Sequence, residues 1–252
     1  MKILSVNGIE KRFGGFKALG GVDMVIHEGE IHGLIGPNGA GKSTFINVIS
    51  GNLAPTRGQV IFKDEVISGM PPHELASKGI ARSFQITSIF PGYTVFQNVQ
   101  LALMAQRGRC SNWFSKAAPM LRDEAAQLLA TVGLHVQHQR IAGELAAGDR
   151  KRLEFAISLA GKPSLLLLDE PTAGMSPGER AIVIDIIRLL NASHGVAVLF
   201  TEHDIDMVFS IAHRITVLHQ GEKLAEGSAA EVQANTRVQE VYLGEDAHAE
   251  ML

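Results

Sequence analysis

Apolar and polar positions alternate over Lys2 to Phe13 and again over Val22 to Ile26. This is the two-residue period of half-buried strands, with Gly14-Gly15 as the turn after the first. Ile31 to Ile35 reads as an apolar strand running into a glycine-rich loop. Ser43 to Ser50 predicts a helix closed by Gly51 as its C-cap. Gln59 to Lys63 returns as a strand after a turn over Pro55 to Gly58, and Ala81 to Phe84 is a further short strand. From about Thr94 to Leu159 the period changes. Asn98 to Ala105, Leu121 to Val132 and Arg150 to Leu159 repeat as helices, whereas Arg107 to Met120 has no period and reads as an irregular insertion. Beyond Pro163 strands return at Leu165 to Leu168, Val196 to Phe200 and Arg214 to Leu218, with an amphipathic helix over Pro177 to Leu190. Alternating strands and helices predict an α/β fold around a parallel sheet, with a helical lobe inserted.

Composition narrows the class. The 252 residues, 46% of them hydrophobic, suffice for one large domain with a proper core. The net charge of −3 gives no long-range attraction to nucleic acid or to an anionic membrane surface, so no nucleic-acid partner is expected. Arg150, Lys151 and Arg152 form one local basic patch. A lone cysteine, Cys110, excludes an internal disulfide. Met1 to Glu10 lacks the apolar core of a signal peptide. No uncharged apolar stretch reaches the ~18 residues of a spanning helix, so a membrane role would require docking to another chain.

The chemistry lies in four places. Gly36-Pro37-Asn38-Gly39-Ala40-Gly41-Lys42-Ser43 fits GxxxxGK[ST] between a predicted strand and a predicted helix. Glycines let the backbone wrap phosphates, and the helix presents its positive end to the same anion. Lys42 would reach the β- and γ-phosphates of ATP, and Ser43 would hold Mg²⁺. Leu165 to Leu168 delivers two adjacent carboxylates, Asp169 and Glu170, at a strand end. Neighbouring strand side chains point to opposite faces, which predicts separate jobs: Asp169 for Mg²⁺, Glu170 for the attacking water. His203, after the strand ending at Phe200, would fall on the sheet edge where α/β folds bind ligands if the sheet is parallel; there it could hydrogen-bond a γ-phosphate or simply be a surface residue. Gln85, after Phe84, could offer its amide to Mg²⁺ or to the water, or simply be solvated.

This ordered set resembles the ATP-binding cassette (ABC) ATPases over nearly the whole chain. The resemblance implies a P-loop core with a parallel sheet, an antiparallel β lobe and a helical subdomain at about 94–160, all in one domain over 1–252. It implies nucleotide contacts from Phe13, which would stack on adenine, and from Gly36 through Thr44. It also implies that Leu145 to Asp149 is the signature segment, packing Ala146, Ala147 and Gly148 against ATP held by a second subunit. Ala173 to Ser176 would cross that same interface. Lys11 to Gly15, Gly79 to Gln85, Asp169 to Met175, Val241 to Gly244 and the insertion around Trp113-Phe114 resemble the ATPase subunits of branched-chain amino acid importers. Partners then follow: a second ATPase subunit, identical or paralogous, two membrane permease subunits and, indirectly, a periplasmic binding protein. The location implied is the cytoplasmic face of the inner membrane. Lipopolysaccharide export, urea or amide import and a non-transport cassette ATPase remain alternatives. One departure stands out: the signature reads Leu-Ala-Ala-Gly-Asp, so residue 146 lacks the serine hydroxyl usual in the family.

Overall fold

A computed structural model describes residues 1–83, 89–107 and 121–249. An antiparallel sheet of four strands takes the order β2-β1-β4-β5, from β1 (Lys2–Phe13), β2 (Phe16–His27), β4 (Arg57–Phe62) and β5 (Glu65–Val66). A sheet of six strands takes the order β10-β9-β3-β8-β7-β6. Its strands β3 (Ile31–Ile35), β6 (Ile80–Ser83), β7 (Leu165–Asp169), β8 (Ala197–Thr201) and β9 (Arg214–His219) run parallel, and β10 (Glu222–Gly227) pairs antiparallel with β9. The helices are α1 (Lys42–Ile49), α2 (Pro72–Lys78), α3 (Val95–Gln106), α4 (Arg122–Thr131) and α5 (Ala147–Leu159). After them come α6 (Pro177–His194), α7 (Ile205–Ile211), α8 (Ala229–Gln233) and α9 (Thr236–Ala249).

The leucine run of β7 is apolar throughout because both sheet faces are covered. Leu165 and Leu167 join Phe45, Ile46, Leu34 and the β lobe in one core, while Leu166 and Leu168 join Val99, Leu153, Phe155 and Ile187 in the other. Each buried leucine is worth about 1.5–3 kcal/mol against exposure. Strands β1 and β3 have their predicted bounds, and β2 extends well beyond Val22 to Ile26.

Several boundaries differ for local reasons. Helix α1 ends at Ile49 with Ser50 as C-cap; Gly51 is the next residue, at φ 75°, where a Cβ would meet Met70 O at 2.2 Å. Helix α3 begins at Val95 because Thr94 and Gln97 close a capping box. Helix α5 begins at Ala147, so Gly148 and Asp149 lie inside its first turn and not ahead of a helix starting at Arg150. Elements β5, α2, α7, β10, α8 and α9 were not anticipated. Cys110 and Trp113-Phe114 lie outside the described residues, as does nearly all of the insertion. Among the described residues no helix is long and apolar enough to cross a membrane.

Buried His32, inside β3, explains how a polar residue sits in an otherwise apolar strand. Its Nδ1 is 2.8 Å from Glu30 Oε1 and its Nε2 2.8 Å from Thr216 Oγ1. Glu30 Oε2 accepts from His27 N at 2.8 Å. Burial alone would raise the Glu30 carboxyl, but the bonds from His32 and His27 overcome it and hold the group at about 2. A folded value below the ordinary 4.5 stabilises above pH 4.5 and loses that contribution as pH falls through 2. Glu30→Gln should therefore lower stability at pH 7 by on the order of 3 kcal/mol. In denaturant titrations the gap between variant and wild type should close as the pH drops towards 2.

Candidate active site

The loop from Gly36 to Ser43 joins β3 to α1 and rests on the β9–β10 turn. Gly221 N donates to Ala40 O at 3.0 Å, and Gly20 N donates to Gly221 O at 2.8 Å. Gly36 (φ 151°), Gly39 (77°) and Gly41 (101°) supply the left-handed backbone that the turn requires. Gly41 is the N-cap of α1 and offers no side-chain acceptor, and no acid occupies the first turn. The helix end is thus left positive for an anion. Lys42 is buried and donates to the carbonyls of Gly36 and Pro37, which holds its ammonium inside the loop. Asn38, Gly39 and Ser43 are exposed; Thr44 is half-buried.

Parallel pairing brings the ends of β3, β7 and β8 to one edge of the sheet, as anticipated for His203. Asp169, the last residue of β7, is buried. Its Oδ1 accepts from the Thr201 hydroxyl at 2.8 Å and its Oδ2 from Arg82 at 3.2 Å. Glu170 has left the strand at φ 48°, and its N–H donates to Thr201 O and Oγ1, each at 3.1 Å. The two acids do diverge, but a left-handed turn separates them, not the alternation of a continuing strand. His203 Nε2 lies 2.9 Å from Glu170 Oε1, so the imidazole and the second carboxylate form a pair at the rim.

Residues that motif reading passed over hold this edge together. The Arg82 guanidinium also donates to Asn47 Oδ1 at 2.6 Å and Ser50 Oγ at 2.9 Å, joining α1 to the acid of β7. Buried Glu202 accepts from Thr172 N at 2.8 Å and Thr172 Oγ1 at 2.7 Å, which pins the segment after Glu170. Only three-dimensional pairing reveals these partners: Arg82 lies 35 and 87 residues from Asn47 and Asp169, and Glu202 lies 30 from Thr172.

The other predicted residues are scattered. Ala146 and Ala147 are exposed at the opening of α5, and Gly148 follows them. A cavity of about 240 Å³ separates that helix end from the strand edge; Ala147, Lys151, Asp169, Glu170 and Met175 line it. Asp149 is held within the chain: it accepts from Gln137 Nε2 at 2.9 Å and pairs with Arg152 at 3.5 Å. The basic triplet is likewise engaged, Arg150 with Leu145 O and Lys151 with Glu154. Phe13 is exposed at the end of β1, with Lys11 Nζ 5.1 Å above its ring. Gln85 lies outside the described residues.

A glycine-rich phosphate loop opening a helix, beside two acids and a histidine on the same sheet edge, defines a P-loop nucleotide-hydrolysing domain. The ABC transporter family model matches residues 19–173, and a second model, described as a branched-chain amino acid ATP-binding cassette transporter, matches residues 222–248. The chain is 38% identical over 250 residues to the high-affinity branched-chain amino acid transport ATP-binding protein LivG of Escherichia coli K12, covering 96% of this chain and 98% of that one. The crystal structure of the ADP conformation of MJ1267, an ATP-binding cassette of an ABC transporter, superposes with a TM-score of 0.86 at 34% identity, covering 97% and 99% of the two chains. The dimeric, post-hydrolysis cassette MJ0796 bound to ADP and Pi superposes at 0.76 with 26% identity, covering 90% and 99%. The chain belongs to the ABC transporter family. It is an ATP-binding, ATP-hydrolysing subunit.

The loop glycines should differ in their tolerance of a methyl group. A Cβ at Gly36 would sit 2.1 Å from Leu218 O, whereas nothing lies within 4 Å of one at Gly39. Gly36→Ala should add about 1–3 kcal/mol of overpacking to its own left-handed strain and should also disturb nucleotide binding. Gly39→Ala should cost only the left-handed strain of about 1–2 kcal/mol. Urea unfolding and fluorescent-nucleotide titration of both variants measure the difference.

Proposed function

We propose that this chain energises the import of branched-chain amino acids, or of related small polar solutes, as one of two ATPase subunits under a pair of membrane permeases. The observation that carries the reading is the Glu170–His203 pair beside the phosphate loop at one strand edge. Its substrate class is supported by the likeness to LivG and by the match over residues 222–248. In this reading a periplasmic binding protein and the permeases select the solute, and the second subunit is a copy of this chain or a paralogue. The ATPases sit on the cytoplasmic face of the inner membrane.

Each residue then has a task. Gly36 through Thr44 cradle the phosphates, with Lys42 moving its donors from loop carbonyls to phosphate oxygens. Phe13, exposed at its strand end, stacks on adenine. Ser43 and Asp169 offer a hydroxyl and a carboxylate, the hard oxygen donors that suit Mg²⁺ beside phosphates, with Gln85 a third candidate. Such an ion would be held largely by nucleotide oxygens and water. Bound Mg²⁺ would neutralise phosphate charge. Glu170 accepts the proton of the attacking water, and His203 orients that carboxylate and contacts the γ-phosphate. Ala146, Ala147 and Gly148 meet the nucleotide of the second subunit.

Coupling to the permease runs through the face between the α/β core and the helices from about 94 to 160. A cleft of about 200 Å³ lies there, lined by Asn52, Leu75, Arg82, Gln106 and Glu154. Nearby, buried Asn98 accepts from Phe90 N at 2.8 Å and donates to Phe90 O at 3.1 Å, fixing a loop that leaves Phe90 and Tyr93 exposed. Ile89 packs into the core, whereas Phe90, its ring 5.9 Å edge-on to Tyr93, presents an exposed apolar surface on this face; Ile86 lies outside the described residues.

Glu170→Gln should retain ATP while slowing turnover by about two to four orders of magnitude, the usual cost of a lost general base. Single-turnover hydrolysis measures it, and near-wild-type rates would remove Glu170 from the base role. Phe90→Ser should leave ATPase of the isolated subunit intact and abolish solute uptake by the reconstituted transporter. Loss of both activities would mean that Phe90 supports the fold instead.

A further inference from the structure

Helix α5 opens with Ala146 at the N-cap, and alanine has no side-chain oxygen to accept from the first N–H groups of the helix. The acceptor comes from another element. Glu179 Oε1 accepts from Gly148 N at 3.2 Å, while Oε2 of the same carboxylate accepts from the N–H and the hydroxyl of Ser176 at 2.9 and 2.8 Å. One side chain therefore serves the first turns of both α5 and α6. Glycine at 148 permits the approach, since a Cβ there would lie 3.1 Å from both Cγ and Oε1 of Glu179. Donation from Ser176, with a smaller part from Gly148, holds the Glu179 carboxyl below its ordinary range, so it is ionised at neutral pH.

We propose that Glu179 is a positioning residue for the ATPase reaction: it caps the signature helix in place of residue 146 and fastens that helix end to the loop of residues 173–176. The proposal rests on the reading that both segments face a second subunit. A carboxylate at the positive end of α5 makes a charge-assisted bond that supplies what the missing hydroxyl would have given. The two interface segments come from different parts of the chain, and this carboxylate holds them in one relative geometry. A shift of the 173–176 loop is then passed directly to Gly148, and the reverse.

Glu179→Gln separates this role from simple capping of α6. Glutamine is accepted at the third position of a capping box, but it has one acceptor oxygen where glutamate has two. Hydrogen exchange of the segment 145–153 is read by mass spectrometry on the single chain. The ATP-dependent dimer is read by sedimentation in a Glu170→Gln background. The variant should exchange faster at 147–149 and weaken the dimer roughly five-fold, the effect expected of a lost cap. Adding Ala146→Ser should restore both, because a serine at the N-cap gives the helix its own acceptor. Gly148→Ala, whose methyl pushes Glu179 away, should reproduce the faster exchange with α6 intact and be rescued by the same serine. Ser176→Ala should leave exchange at 147–149 unchanged. Unaltered exchange in Glu179→Gln and Gly148→Ala, or no rescue by Ala146→Ser, overturns the proposal. Absence of any ATP-dependent dimer in the Glu170→Gln background would defeat the two-subunit reading, while the exchange data on the single chain would still decide the cap.

Discussion

One buried hydroxyl, that of Thr201, sets the geometry on which the rest of the site depends. It donates to Asp169 and accepts from the N–H of Glu170, whose N–H also meets the Thr201 carbonyl. Two adjacent acids are thus fixed against a neighbouring strand by a single residue paired in register with Asp169. Glu170 can then hold a left-handed backbone, a conformation that costs on the order of 1–3 kcal/mol and persists only where its surroundings determine it. The next two residues continue the arrangement: Glu202 turns inward to hold Thr172, and His203 turns outward to Glu170.

The phosphate loop is joined to this edge through Arg82. Its guanidinium spans Asn47 and Ser50 of the α1 turn and Asp169 of β7. A charge of this kind is stable in a largely buried place only when paired and hydrogen-bonded, and Asp169 meets the same condition from the other side. The helix that receives phosphate and the strand that delivers the acids are therefore held in one relative position, on a sheet packed from both faces.

Much of this was legible in the residues because local physics dictated them. The loop glycines answer to positive φ angles, and the leucines of β7 answer to burial on two faces. The parallel sheet carries His203, which follows β8, to the edge where Glu170 lies. What escaped was non-local or lacked a period. Arg82 finds Asn47 and Asp169 at separations of 35 and 87 residues, and Glu179 finds Gly148 at 31. Helix α2 buries only Leu75 and so shows no amphipathic stripe. Strand β10 is an edge strand in which three of six residues are charged, without the alternation that marks β1. The early start of α3 was written in Thr94 and Gln97, a capping signature that hydrophobic periodicity alone does not register.

The position of β3 also bears on how the protein is made. This strand, which leads into the phosphate loop, lies between β8 and β9, both from the last quarter of the chain. The first of its sheet partners is not complete until residue 201, and the pair is not complete until residue 219. At about 5–20 residues per second, a ribosome takes roughly ten to forty seconds to travel from β3 to the end of β9. For that interval the antiparallel lobe can form from contiguous chain, whereas the nucleotide-binding strand waits with at least one edge unsatisfied. The nascent protein is thus exposed to mispairing at the very segment its later activity requires.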